Sequence, residues 1–130
     1  MMVLIVEDDA LSRKALARLL RADGHYVDTV GSAEEALEVI RGGFVPQVVL
    51  IDVDLPGMDG LDLTAQLAQE VPQASAILTS AVEHERIMSR GDLPHPQYLR
   101  KPLPVRQLLH LVASAPQPSG DDCSPGLRSN

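Results

Sequence analysis

The spacing of hydrophobic positions changes as the chain is followed forward, and the change recurs. Short continuous apolar runs alternate with stretches whose apolar residues lie three and four apart. The runs are Met2 to Val6, Tyr26-Val27 with Thr29-Val30, Val48 to Ile51, Ala76 to Leu78, and Tyr98-Leu99. Five strands alternating with helices are predicted. Runs one and three are apolar throughout, as in central parallel strands covered on both faces, whereas Asp28 interrupts run two as at a sheet edge. A first helix shows Ala15, Leu16, Leu19 and Leu20 as one stripe and ends at Asp23-Gly24. In the second, Ser32 and Glu35 have capping-box spacing, Ala33, Ala36, Leu37 and Ile40 share a face, and Gly42-Gly43 stops the helix. A third is expected over residues 60–70, before Pro72. A fourth has room for two turns over 83–90 before Gly91, Pro94 and Pro96 forbid regular structure. The fifth starts near Pro104 and continues through Leu108, Leu109 and Val112.

Five βα units with right-handed crossovers imply an α/β fold: a doubly wound (βα)5, flavodoxin-like three-layer sandwich. In its commonest strand order, 2-1-3-4-5, ligands sit outside the carboxyl ends of strands one and three. The domain is expected over residues 1–115. From Pro116 to Asn130, eight of fifteen residues are Pro, Gly or Ser, so 116–130 reads as a disordered tail.

A chain of 130 residues fits one domain, and 45% apolar with 22% charged residues excludes a mainly disordered or fibrous protein. The 18 acidic against 11 basic side chains, a formal charge of -7, argue against direct nucleic-acid binding. The single cysteine, Cys123, permits neither an internal disulfide nor a CxxC metal site, and reads as an idle thiol in a reducing compartment. The longest apolar run, Met1 to Val6, is far short of a membrane span, so a soluble, cytoplasmic protein without membrane contact is expected. His25, His84, His95 and His110 lack ligand-like spacing and read as surface residues.

The expected strand ends concentrate acids. Strand one ends in Glu7-Asp8-Asp9 and strand three in Ile51-Asp52, so at least three carboxylates converge where the strand order reverses. Their repulsion calls for protonation, a cationic side chain or a metal. An all-oxygen donor set suits a hard divalent ion, most naturally Mg²⁺. Strand five then supplies Lys101 and strand four Thr79. A metal, an ammonium and a hydroxyl around one carboxylate are what a phosphoryl group on that carboxylate requires, because charge neutralisation dominates phosphoryl transfer.

Four segments, Val6-Glu7-Asp8-Asp9, Asp52-Val53-Asp54-Leu55-Pro56-Gly57-Met58-Asp59-Gly60, Leu78-Thr79-Ser80 and Tyr98-Leu99-Arg100-Lys101-Pro102, follow in order the signatures of a known family. The chain resembles the receiver domains of bacterial two-component response regulators over residues 1 to about 115. The resemblance implies that Asp52 accepts a phosphoryl group from a sensor histidine kinase or a histidine phosphotransfer protein. It implies that Asp8, Asp52 and the backbone carbonyl of Asp54 hold Mg²⁺ (or Mn²⁺), with Glu7 acting through a metal-bound water. Lys101 and Thr79 would contact phosphoryl oxygens, the Lys101-Pro102 bond is often cis in such proteins, and Tyr98 takes the place of a switch aromatic. Phosphorylation would then change the surface of the fourth helix, fifth strand and fifth helix, to signal to a downstream protein or to drive dimerisation. The domain would not be an enzyme beyond its own phosphotransfer and autodephosphorylation.

Singly, each residue has a plainer reading: Asp52 as a turn residue, Glu7 to Asp9 as a helix start, Thr79 as a strand-end hydroxyl, Lys101 as a solvated charge, Tyr98 as an edge aromatic. Their joint order carries the resemblance. The segment Leu93-Pro94-His95-Pro96 departs from the family pattern before strand five. Three rivals differ in class. Asp52-Val53-Asp54 after an apolar strand also resembles the nucleophile motif of haloacid-dehalogenase-type phosphatases, although the acids here lie upstream at Glu7 to Asp9 and the only acidic pair downstream of Lys101 is Asp121-Asp122 in the tail. A flavin-binding module shares the architecture but would need a Ser/Thr/Gly-rich phosphate loop where Glu7-Asp8-Asp9 stands. A pseudo-receiver would use the fold for interaction alone.

Overall fold

The computed structural model describes residues 1–81 and 97–115. The expected helix at 83–90, the Pro94 and Pro96 segment, and the tail at 116–130 lie outside the described residues. The strands are β1 (Met2–Val6), β2 (Tyr26–Val30), β3 (Val48–Asp52), β4 (Ser75–Ser80) and β5 (Gln97–Arg100). The helices are α1 (Ala10–Ala22), α2 (Ala33–Arg41), α3 (Gly60–Glu70) and α4 (Val105–Ala113), the last being the fifth helix of the sequence pattern. All five strands are parallel, in the order β2-β1-β3-β4-β5.

Alternation along the central strands divides the core in two. Leu4, Val6, Val49, Ile51 and Leu78 pack with Ala36, Leu37 and Ile40 of α2 and Leu63 and Leu67 of α3. Val3, Ile5, Val48, Leu50 and Ile77 face the other way, towards Ala17 and Leu20 of α1 and Leu108 and Val112 of α4. Every residue of β3 is buried, which explains its unbroken apolar run. Each fully buried Val, Leu or Ile contributes roughly 1.5–3 kcal/mol relative to exposure. No helix among the described residues is long and apolar enough to cross a membrane.

The helix ends follow local chemistry. The Asp9 carboxylate accepts the Ser12 N–H at 2.9 Å and caps α1, and Ser32 Oγ accepts the Glu35 N–H at 3.1 Å and caps α2. Asp59 caps α3 through the Asp62 N–H at 2.9 Å. Pro104 stands at the N-cap of α4, one position ahead of the first turn, where its missing N–H removes no helical bond. Two expectations need correction. Ala15 is exposed, and Ala17 with Leu20 forms the buried stripe of α1, because the helix begins at Ala10 and turns that face to the sheet. His25 is not a surface residue: its side chain is 8% exposed, with Nε2 3.3 Å from Asp23 Oδ2, because its N–H bonds back to the Leu20 carbonyl and folds the turn under α1.

Candidate functional site

Parallel pairing brings the carboxyl ends of β1, β3, β4 and β5 to one edge. Val6 is in register with Ile51, Asp52 with Thr79, and Ser80 with Arg100. Glu7, Asp8, Asp52 and Lys101 therefore leave the sheet side by side. One carboxylate oxygen from each of Glu7, Asp8 and Asp52 lies within 4.8 Å of the others. Glu7 and Asp52 are buried and Asp8 is exposed, so the cluster has a closed floor and an open mouth.

Lys101 bridges the two buried acids, with Nζ 3.0 Å from Asp52 Oδ2 and 3.3 Å from Glu7 Oε1. Its N–H donates to the Ser80 carbonyl at 2.8 Å, and the following bond to Pro102 is cis. The other Asp52 oxygen, Oδ1, accepts the Asp54 N–H at 2.9 Å. Burial pushes the Glu7 carboxyl up from 4.5 to about 7; the neighbouring Asp52 carboxylate adds to the rise, while the Asp9 N–H and Lys101 oppose it. Burial works against the Lys101 ammonium too, yet its hydrogen bond to Asp52 and the charges of Asp52 and Glu7 outweigh that and hold it above the ordinary lysine value.

The remaining residues stand around this group. Asp9 faces away as the cap of α1, so the three converging acids are Glu7, Asp8 and Asp52. Thr79 is buried in β4 beside Asp52, with its hydroxyl 3.5 Å from the Ile51 carbonyl. Tyr98, in register with Leu78, is half-buried against the core on the α2 and α3 side, apart from the acids. The Asp54 carboxylate is exposed and accepts the Ser80 hydroxyl at 3.3 Å.

Three contacts support the site from outside the acidic cluster. Arg13 Nη1 donates to the Glu7 carbonyl at 2.9 Å, tying α1 to the end of β1. Glu34 of α2 accepts the Met58 N–H at 3.3 Å and steadies the loop after Asp52; within that loop Gly57 has φ +72, a left-handed conformation that favours glycine. Gly60 starts α3 in direct contact with the Asp52 backbone. The Arg13 and Gly60 contacts join neighbouring elements and the Glu34 contact spans 24 residues, and no apolar spacing marks any of them. A groove of about 320 Å³ opens beside the acids between α1 and the start of α4, lined by Leu16, Leu19, Pro102, Leu103 and Val105 together with Glu7 and Lys101.

Oxygen-only donors in a half-open cluster suit a hard divalent cation, and Lys101 supplies the fixed positive charge beside it. Fold and cleft together define a doubly wound α/β protein with an acidic, lysine-bridged site at its topological switch point. A sequence model of the response regulator receiver domain matches residues 3–113. The response regulator protein FleR of Pseudomonas aeruginosa is 39% identical over 113 residues, covering 85% of this chain and 24% of that protein. The sensor protein TorS of Escherichia coli is 33% identical over 112 residues, 85% of this chain and 12% of its own length. A receiver domain protein from Methanospirillum hungatei superimposes with a TM-score of 0.78 at 25% identity, covering 86% of this chain and 90% of that one. The chain belongs to the response regulator receiver domain family. It spans less than a quarter of FleR and about an eighth of TorS.

Proposed function

We propose that Asp52 is the phosphoacceptor of this receiver domain, in a reaction that depends on Mg²⁺ or Mn²⁺. The observation that carries the reading is Asp52 itself: a buried carboxylate with one oxygen on Lys101 and the other on a backbone N–H, beside two further acids. An Asp52 oxygen attacks the phosphorus of a donor phosphohistidine, the P–N bond breaks as the P–O bond forms, and the imidazole leaves with the electron pair. Asp8, Asp52 and the Asp54 carbonyl, with Glu7 beside them, would hold the metal, which would supply charge neutralisation for the phosphoryl oxygens. Lys101 contacts one of those oxygens. Thr79 donates its hydroxyl to another after turning from the Ile51 carbonyl, and Tyr98 follows it inward. That movement shifts the population of the surface containing β5 and α4, which signals to a downstream protein or drives dimerisation.

The donor is a sensor histidine kinase or histidine phosphotransfer protein. The groove beside the acids supports that reading, since it presents apolar side chains next to Asp52's cleft, with Leu11 of α1 79% exposed nearby in sequence. The domain signals and has no turnover of its own beyond autophosphorylation and autodephosphorylation, and it works in the cytoplasm. Adding fluoroberyllate, a phosphoryl mimic, with Mg²⁺ tests this: amide resonances of Thr79 and Lys101 should shift in the wild type and stay fixed in Asp52→Asn. Steady hydrolysis of an aryl phosphate would instead favour a phosphatase using Asp52 and Asp54.

A further inference from the structure

Charge is segregated on α1. The helix carries Arg13, Lys14, Arg18 and Arg21 and no acid, in a chain with 11 basic residues and a net charge of -7. These four side chains, with Ala17 as the small residue between them and Thr29 of β2, line a groove of about 520 Å³. It lies along the flank of α1 that faces the outer edge of the sheet, separate from the apolar groove on Leu16 and Leu19.

Two of the guanidinium groups are held in place by neutral acceptors. Arg13 Nη1 donates to the Glu7 carbonyl at 2.9 Å, and Arg21 Nη2 to the Val27 carbonyl at 3.0 Å. Their charge is therefore positioned without being cancelled, and each keeps further N–H groups for a ligand. None of the four forms an ion pair with a carboxylate among the described residues. Lys14 and Arg18 are like charges at i, i+4, and Arg13 and Lys14 sit in the amino-terminal half, so both spacing and the helix dipole oppose them. Arg13 and Arg21 tie α1 to Glu7 and to β2, while Lys14 and Arg18 make no such bond among the described residues.

We propose that the groove binds an acidic segment of a partner protein, at a site separate from the phosphoryl-transfer cleft. Arg13 to Arg21 spans about 12 Å of helix axis, the length of roughly four residues of extended chain. The charges are strung along that line and do not converge, which matches several carboxylates in sequence and not a single phosphate. A long nucleic acid is disfavoured by the net charge of -7, which an extended polyanion meets over the whole surface and a segment of about four residues meets only locally. Strand addition is hindered as well. Tyr26 donates to the Met1 carbonyl and Val30 accepts from the Glu7 N–H, flanking β1, and of the alternate, outward groups the Val27 carbonyl is taken by Arg21 and the Thr29 N–H by Asp28 Oδ1 at 2.9 Å. Side chains therefore carry most of the recognition.

The test is fluorescence anisotropy of a labelled oligoglutamate titrated with the full chain, at low and at physiological salt. The wild type should bind, with amide shifts at Ala17 and Thr29, and the Lys14→Glu/Arg18→Glu variant should bind roughly tenfold or more weakly. Acetyl phosphate labelling of that variant should be unchanged, which separates this site from the cleft. Should the reversal impair folding by circular dichroism, Lys14→Gln/Arg18→Gln should still weaken binding. Absence of binding at low salt, or binding undiminished in the folded variant, overturns the proposal. So does tighter binding of a duplex DNA with the same dependence on Lys14 and Arg18, which would assign the groove to nucleic acid.

Discussion

Gly60 leaves no room for a side chain above Asp52. A Cβ at Gly60 would collide with the Asp52 carbonyl and stand 2.7 Å from the Val53 Cα, both of them backbone that has no rotamer with which to yield. The first turn of α3 is thus seated directly on the strand end that carries the proposed phosphoacceptor. Gly60→Ala should destabilise the fold by about 1–3 kcal/mol, the usual range for overpacking, and slow acetyl phosphate labelling as Asp52 is displaced. Urea denaturation measures the first effect. Unchanged stability would show that α3 lifts away freely.

Lys101 is the only cation among the described residues paired with the buried acids Glu7 and Asp52. Lys101→Ala removes a fixed charge aimed at the proposed phosphoryl oxygens, a change that typically lowers such rates by on the order of 10²-fold or more. Labelling kinetics at saturating Mg²⁺ should show that loss while metal binding persists. A variant labelled at the wild-type rate would remove Lys101 from the reaction.

Asp9 belongs to the acidic run in sequence but to the cap of α1 in structure, with its oxygen 2.9 Å from the Ser12 N–H. Asp9→Ala should therefore cost about 1 kcal/mol in stability, and Asp9→Ser should recover much of it. Mg²⁺ affinity, read by titration calorimetry, should change little in either. A large loss of metal affinity in Asp9→Ser would return Asp9 to the site.

The raised Glu7 carboxyl makes a signed prediction for metal-free protein. Below its ordinary value of 4.5 the group is neutral in both folded and unfolded chains. Between 4.5 and about 7 the folded chain keeps a proton that the unfolded chain has released, so this group's contribution to stability falls as pH rises and is lost beyond about 7. Glu7→Gln removes the slope. Denaturation in EDTA should show the variant gaining on the wild type as pH rises through that window, and parallel curves would refute the shift. Mg²⁺ affinity of the wild type should rise over the same interval, because the ion displaces the proton.

The fold was legible because burial on both faces leaves unbroken apolar runs at β1 and β3, and because Ser32 and Gly42 bound α2 and Pro72 follows α3. The cleft was legible because strand ends are easy to locate, and parallel order then brings Glu7, Asp8, Asp52 and Lys101 together. On α1 the expected stripe holds at Leu16, Leu19 and Leu20 but not at Ala15, since Ala15 and Ala17 are equally apolar and only the sheet decides between them. Which of Glu7, Asp8 and Asp9 face the cleft is not marked in the sequence, because a capping carboxylate and a metal-facing one look alike there. The burial of the His25 side chain has no mark in the sequence, because a polar residue after Gly24 signals a turn without showing what packs over it. Arg13, Glu34 and Gly60 support the site through contacts that have no periodicity at all.

The most direct measurement is the intact mass of the protein after incubation with acetyl phosphate and Mg²⁺, beside Asp52→Asn and an EDTA control. One added phosphoryl group is predicted for the wild type, absent from both controls. A folded wild type that never gains mass, or an adduct that persists in Asp52→Asn, would contradict the account and leave the domain as an interaction module or place its acceptor elsewhere.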